Sequence, residues 1–152
     1  MKIALGSDHA GFELKEEVKG YLSKAGYEVG DLGTYTSFPH CDYPDFGYEV
    51  ARGVSSEKYN FGILICGTGI GMSIVANKVP GIRASLCYNI EAAKLSRQHN
   101  DSNILVMGAR FVDKSSALQM VKIFLETQAE GGRHLRRVSK IKEIEKKILK
   151  IC

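Results

Sequence analysis

Residues 61–66 read FGILIC, an almost unbroken apolar run that empties directly into GTGIG. A strand with one wet face alternates apolar and polar side chains, so a run apolar on both faces needs cover on both sides, as in a parallel sheet between layers of helices. The glycines that follow mark a tight strand-to-helix turn. Neighbouring segments repeat the pattern. KIALGS (2–7) and YEVGDL (27–32) flank a helical stretch over residues 12–25, where Leu14, Val18, Tyr21, Leu22 and Ala25 share a face and Gly26 can end the helix. After the glycine turn come a helix through about residue 78, a strand IRASLC (82–87), a helix over 89–98, a strand NILVMG (103–108) and a helix over 115–128. The order β-α-β, loop, β-α-β-α-β-α predicts an α/β fold, a three-layer αβα sandwich on a mostly parallel five-stranded sheet. The least regular stretch, TYTSFPHCDYPDFG (34–47), has the prolines and aspartates of an ordered loop.

The 152 residues show no repeat, linker or low-complexity segment, so 1–152 reads as one domain. Its end is distinct: residues 131–152 carry eight Lys/Arg against two Asp/Glu, a net of +6, while the first 130 residues carry −2. Leu135, Val138, Ile141, Ile144, Ile148 and Ile151 recur there at spacings of three and four, which predicts a C-terminal amphipathic helix. Its apolar stripe is expected to cover the domain core or a partner subunit, with the lysines solvated opposite, so no nucleic-acid partner is expected. No apolar run approaches the ~18 residues of a membrane span, and MKIALGSDHAG reaches acid and glycine too soon for a signal peptide. The reading is therefore no membrane partner and a cytoplasmic location. Cys41, Cys66, Cys87 and Cys152 lie 25, 21 and 65 apart without a C-x-x-C pair, against both a disulfide framework and a zinc site. Cys87 reads as a small buried hydrophobe, and Cys41 and Cys152 carry no strong signal.

In parallel α/β folds ligands gather at the C-terminal ends of strands. The polar groups assigned there are Ser7, Asp8 and His9 after the first strand, Cys66 to Gly71 after the third, His99, Asn100 and Asp101 before the fifth, and Arg110 after it. CGTGIG lacks the lysine of a P-loop, and its G-x-G-x-G spacing is not the G-x-G-x-x-G of dinucleotide binding. A C-x5-R phosphatase loop would need arginine at Met72. What the turn does offer is main-chain N–H groups at Gly67, Gly69 and Gly71 for an oxyanion, and a local positive field that favours a Cys66 thiolate. A thiolate beside an oxyanion cradle suits proton abstraction next to a carbonyl, with Thr68 steadying a hydroxyl proton. A structural thiol at a strand end fits the same spacing. His9 and His99, in turns rich in glycine and asparagine, suit proton transfer or, with Asp8, substrate binding; each also fits an ordinary surface histidine. Arg133 and Arg137, four apart, share a helix face that suits a phosphate dianion or plain surface charge.

GSDHAG (6–11), DYPDFG (42–47), CGTGIGMSIVANKVPGIRA (66–84), RQHNDSNILVMGAR (97–110) and EGGRHLRRV (130–138) resemble ribose-5-phosphate isomerases of the B type, a family shared with the galactose-6-phosphate isomerase subunits. The resemblance spans essentially the whole chain. It implies a Rossmann-like fold and an aldose–ketose isomerase that needs no cofactor and no metal. It also implies a homodimer that can pair into tetramers, with sites completed across the subunit interface and the 131–152 helix on the partner. By the same resemblance Cys66 is the base that moves a proton between C1 and C2 of a sugar phosphate, Thr68 assists, and the amides of Gly67, Gly69 and Gly71 hold the enediolate. His99 opens the sugar ring; Asp8, Tyr43 and Asn100 line the pocket; and His9, Arg110, Arg133 and Arg137 hold the phosphate. Relatives that use a glutamate base differ at these positions, where this chain has Cys66 and Ser73. A hexose 6-phosphate substrate and a non-catalytic sugar-phosphate binder are the alternatives.

Overall fold

The computed structural model describes residues 1–151; Cys152 lies outside the described residues. Five strands, β1 (Lys2–Ser7), β2 (Glu28–Asp31), β3 (Phe61–Cys66), β4 (Ala84–Leu86) and β5 (Ile104–Gly108), join in the order β2-β1-β3-β5-β4 with every pairing parallel. The helices are α1 (Phe12–Lys24), α2 (Tyr43–Ser55), α3 (Ile70–Ala76), α4 (Ile90–Asn100), α5 (Lys114–Glu126) and α6 (Gly132–Leu149). The expected α/β sandwich is present, with its sheet wholly rather than mostly parallel.

β3 occupies the centre for the reason its sequence predicts. It is buried from Gly62 to Cys66. Ile63 and Ile65 join one core with Leu14, Val18 and Leu22 of α1, Ala93 of α4 and Phe124 of α5, while Leu64 and Cys66 join a second core with Val50 of α2 and Met72 of α3. A fully buried Leu or Ile side chain stabilises by about 1.5–3 kcal/mol, so three in a row make this strand the hydrophobic axis of the domain. The chain leaves β1 toward β2 on one side and later toward β3 on the other. That reversal opens a crevice at the C-terminal tips of β1 and β3.

One expectation needs correction. The ordered loop over 34–47 ends at Asp42, because α2 begins at Tyr43, and a helix occupies what reads as a continuation of loop. Asp42 stands at its N-cap in extended geometry and Pro44 lies in its first turn, where a missing N–H costs nothing. Gly47 and Gly53 allow close packing along this helix: a Cβ on Gly47 would lie 3.1 Å from Met72 Sδ, and one on Gly53 2.9 Å from the Tyr59 ring. Of the two covers expected for the α6 stripe, the domain core and a partner subunit, the exposures remove the first. The helix packs along α4, but of its apolar stripe only Val138 is buried; Leu135, Ile141, Ile144 and Ile148 are about half exposed and Ile151 more so. The domain core does not cover that stripe.

Candidate active site

At the tip of β1, Asp8 is buried and its Oδ1 accepts the Gly11 N–H at 3.0 Å, capping a short 3-10 turn at His9–Gly11. Gly11 has to be glycine, since a Cβ there would sit 2.4 Å from the Ile65 carbonyl oxygen. That contact presses the β1 turn onto the β3 tip. His9 stacks on His40 with ring centroids 4.3 Å apart. The Cys41 N–H lies 3.2 Å from His9 Nδ1 and the Cys41 carbonyl oxygen 3.3 Å, so the neutral ring accepts from one and a protonated ring donates to the other.

At the tip of β3, Cys66 is almost fully buried at 4 % exposure, and Gly69 N–H donates to its Sγ at 3.1 Å. Gly69 reaches this geometry at φ +80°, where a side chain would strain the backbone and meet Leu86 Cδ1 at 2.5 Å. Thr68 Oγ1 accepts from Ile70 N–H at 3.2 Å, which leaves its hydroxyl proton free to donate outward. α3 spans only seven residues, so the positive field here comes from the amides of the turn more than from a helix dipole. The remaining turn glycines make room for side chains. A Cβ on Gly67 would lie 3.3 Å from the Arg110 guanidinium, and one on Gly71 would lie 2.5 Å from the ring of Tyr43. Arg110 is also tied by its backbone N–H to Gly67 O at 3.0 Å. Asp8, His9, Tyr43, Cys66, Gly67, Thr68, Gly69, Gly71 and Arg110 thus share one end of the sheet.

His99 and Asn100 do not belong to that end. They close α4 and precede β5, and in a parallel sheet the approach to a strand lies opposite its exit. Arg83, which precedes β4, donates to the Asn100 and Asp101 carbonyls, fixing this turn at the N-terminal edge. At about 3.3 Å per residue, the five residues of β5 alone put on the order of 15 Å between His99 and Cys66 of one chain. The expectation that His99, Asn100 and Asp101 join the C-terminal tips is therefore wrong within a single subunit.

A second cluster forms around His99 instead. Its ring stacks on His134 of α6 at 4.0 Å and 4°, Arg133 Nε lies 3.2 Å from His134 Nε2, and Glu130 Oε2 lies 3.7 Å from the same nitrogen. Arg133 and Arg137 stand exposed one turn apart on α6. Loss of hydration on burial, then His99 and Arg133, lower the His134 pKa below the ordinary imidazole value and keep the ring neutral near pH 7. His99, Glu130 and His134 offer three ligand atoms within 4.8 Å of one another. With the two imidazoles face to face, however, their lone pairs lie in parallel planes, and one ion cannot sit in both unless a ring turns. The cluster is better suited to face an anion. His134 was not among the residues singled out from sequence; the signal for it is Glu130, four residues earlier, beside the arginines.

Of the other thiols, Cys87 is buried, and desolvation pushes its pKa up to about 11, in keeping with a packing role. No helix among the described residues is long and apolar enough to cross a membrane. A cavity of about 550 Å³ between α6 and the β4 edge is lined by Ile141, Ile144, Ile148 and Ile82 and lies away from Cys66.

A wholly parallel sheet with a thiol, a hydroxyl and turn amides at its switch point defines an α/β protein built to handle a small anionic ligand at its strand tips. Comparison with known proteins narrows this. A family model described as Ribose/Galactose Isomerase matches residues 3–141, and the chain belongs to that family. Ribose-5-phosphate isomerase B of Escherichia coli is 49% identical over 146 residues, covering 96% of this chain and 97% of that protein. The structure of Clostridium thermocellum ribose-5-phosphate isomerase B aligns with TM-score 0.95 at 54% identity, over 97% of this chain and 99% of that one. The Mycoplasma genitalium enzyme, solved with bound ribulose-5-phosphate, aligns with TM-score 0.92 at 42% identity, over 95% and 96% of the two chains.

Proposed function

We propose that this protein interconverts ribose 5-phosphate and ribulose 5-phosphate through a cis-enediolate, with Cys66 as the base. The observation that carries the reading is the Gly69 N–H aimed at Cys66 Sγ at the switch point, with the Thr68 hydroxyl beside it. A main-chain donor on sulfur favours the thiolate, the form that can take a proton. The bound ribulose-5-phosphate of the Mycoplasma genitalium relative supports the choice of substrate.

In this mechanism His99 takes the O1 proton of the cyclic sugar and, as imidazolium, returns a proton to the ring oxygen as the C1–O bond of the ring breaks, freeing the aldehyde and regenerating the neutral ring. The Cys66 thiolate then removes the C2 hydrogen as a proton. The electron pair of that bond enters C1–C2, and the carbonyl pair moves onto O1, which the amides of Gly67, Thr68 and Gly71 stabilise. Gly69 N–H, already given to the sulfur, does not serve the oxyanion. Thr68 passes the proton of O2 to O1, the thiol returns its proton to C1, and the ketone remains at C2. Nothing is oxidised or reduced overall.

His9, Arg110, Arg133 and Arg137 hold the phosphate, and Asp8, Tyr43 and Asn100 line the sugar. Because one chain keeps His99 far from Cys66, the partner subunit of a homodimer supplies His99, Asn100, Arg133 and Arg137 to each strand-tip site. The test is ketose formation from ribose 5-phosphate by the purified protein without added metal, alongside allose and galactose 6-phosphates. Cys66→Ala should abolish turnover while keeping phosphate-dependent binding, whereas full activity in that variant would refute the assignment of the base.

A further inference from the structure

We propose that Tyr88 is a positioning residue for Cys66, acting through the Thr68–Gly69 peptide. Tyr88 follows β4 and sits at the same sheet end as the thiol, 42 % exposed, its ring edge-on to Phe111 at 5.5 Å. Its hydroxyl donates to the Thr68 carbonyl oxygen at 2.8 Å. That carbonyl belongs to the same peptide unit as the Gly69 N–H, which donates to Cys66 Sγ at 3.1 Å. The peptide is pinned from below as well: a Cβ on Gly108 would stand 2.4 Å from the Thr68 carbonyl oxygen, so the unit lies flat on the β5 tip. A hydroxyl, a peptide and a sulfur therefore form one unbroken chain of hydrogen bonds.

Such chains polarise cooperatively. Accepting a bond at the carbonyl makes the N–H of the same peptide a stronger donor, and a charged acceptor gains more from this than a neutral one. The Tyr88 hydroxyl therefore favours the thiolate of Cys66 over the thiol without touching either sulfur or sugar. Cooperative strengthening of roughly 10–30% on a bond to a charged group corresponds to a change of up to about fivefold in the thiolate-to-thiol ratio. The geometry of the relay is independent of function; its kinetic consequence rests on Cys66 being the base.

The test is Tyr88→Phe, which keeps the ring against Phe111 and deletes only the hydroxyl. The full chain is labelled with cysteine carrying 13C at Cβ, the Cys66 signal is identified by its loss in Cys66→Ser, and its ionisation is followed with pH. At pH 7 the thiolate-to-thiol ratio should fall by up to about fivefold, with the same limiting signal at high pH. The kcat for ribose 5-phosphate should fall by the same factor with KM unchanged. An unchanged ratio overturns the proposal, as does a ratio that falls only alongside displaced signals at the other cysteines, which would mark a disturbed fold. A ratio that falls while kcat holds would sustain the relay and remove Cys66 from the base role.

Discussion

If the two clusters meet only across subunits, two inactive chains should repair each other. Cys66→Ala removes the thiol at the strand tip, and His99→Asn removes the imidazole at the opposite sheet edge. Each homodimer then lacks the same group in both of its sites. In a mixed dimer one site draws its thiol from the His99→Asn chain and its imidazole from the Cys66→Ala chain, and so is intact; the other site lacks both. Random assortment makes half the dimers mixed, and half of their sites whole, so about one quarter of wild-type activity should return.

The assay is co-expression of the two variants under different tags, tandem purification to separate mixed from parental dimers, and ketose formation from ribose 5-phosphate. Purified mixed dimers should reach about half of wild-type kcat per dimer, since one of two sites works. The prediction depends on a distance set by the protein's own strand, the length of β5, and not on any view of how the subunits pack. Mixed dimers as inactive as their parents, with both chains shown to be present and folded, would refute the shared site. Activity in His99→Asn alone would remove His99 from the mechanism.

Two further outcomes follow from groups near the site. Asp31 binds Lys15 at 2.6 Å and Lys19 at 2.8 Å, and Lys15 is fully buried. Burial acts to raise the Asp31 pKa, but hydrogen bonds from Lys15, Lys19 and the Gly33 N–H outweigh it and hold the carboxyl below its usual value. A depressed folded value means stability that is present above the unfolded pKa of about 4 and lost as pH falls through the folded value. Asp31→Asn should cost on the order of 1.5–3 kcal/mol at pH 7 in urea unfolding, because buried Lys15 keeps only Glu16 as a charged partner, at 2.9 Å, with the loss shrinking toward low pH; a pH-independent loss would contradict the ion-pair account. Gly69→Ala should lose about 1–2 kcal/mol from its left-handed backbone alone, with kcat falling as the Sγ donor moves. Wild-type stability in that variant would show that the turn can be rebuilt without φ +80°.

How much of this was legible beforehand depends on what each residue answers to. FGILIC announces a doubly covered strand because both of its faces must leave water, and the structure obeys. α2 is hidden because its glycines answer to packing partners outside the helix: Gly47 to Met72 of α3, and Gly53 to Tyr59 just past the helix end. Its local signals, Asp42 and Pro44, are present but submerged in a run of turn residues. Tyr88 gives no local sign of its role, since its partner is a carbonyl twenty residues away. His99 is different. Grouping it with Cys66 follows chemical kind, whereas the order of elements already places a residue before β5 at the edge away from the tip of β3.

The uncovered stripe of α6 belongs to the same problem. Leu135, Ile141, Ile144 and Ile148 leave a broken apolar row in water, on the helix that carries Arg133 and Arg137. Burying that row recovers roughly 25 cal/mol for each Å² removed from water, and nothing in the chain's own core does so. If a second copy covers it, the contact that stabilises the pair also fixes the helix that delivers the arginines. Assembly and the completion of the active site would then be one event, and specific activity should fall on dilution along with the fraction of dimer. An activity per chain that stays constant while the dimer dissociates would separate the two.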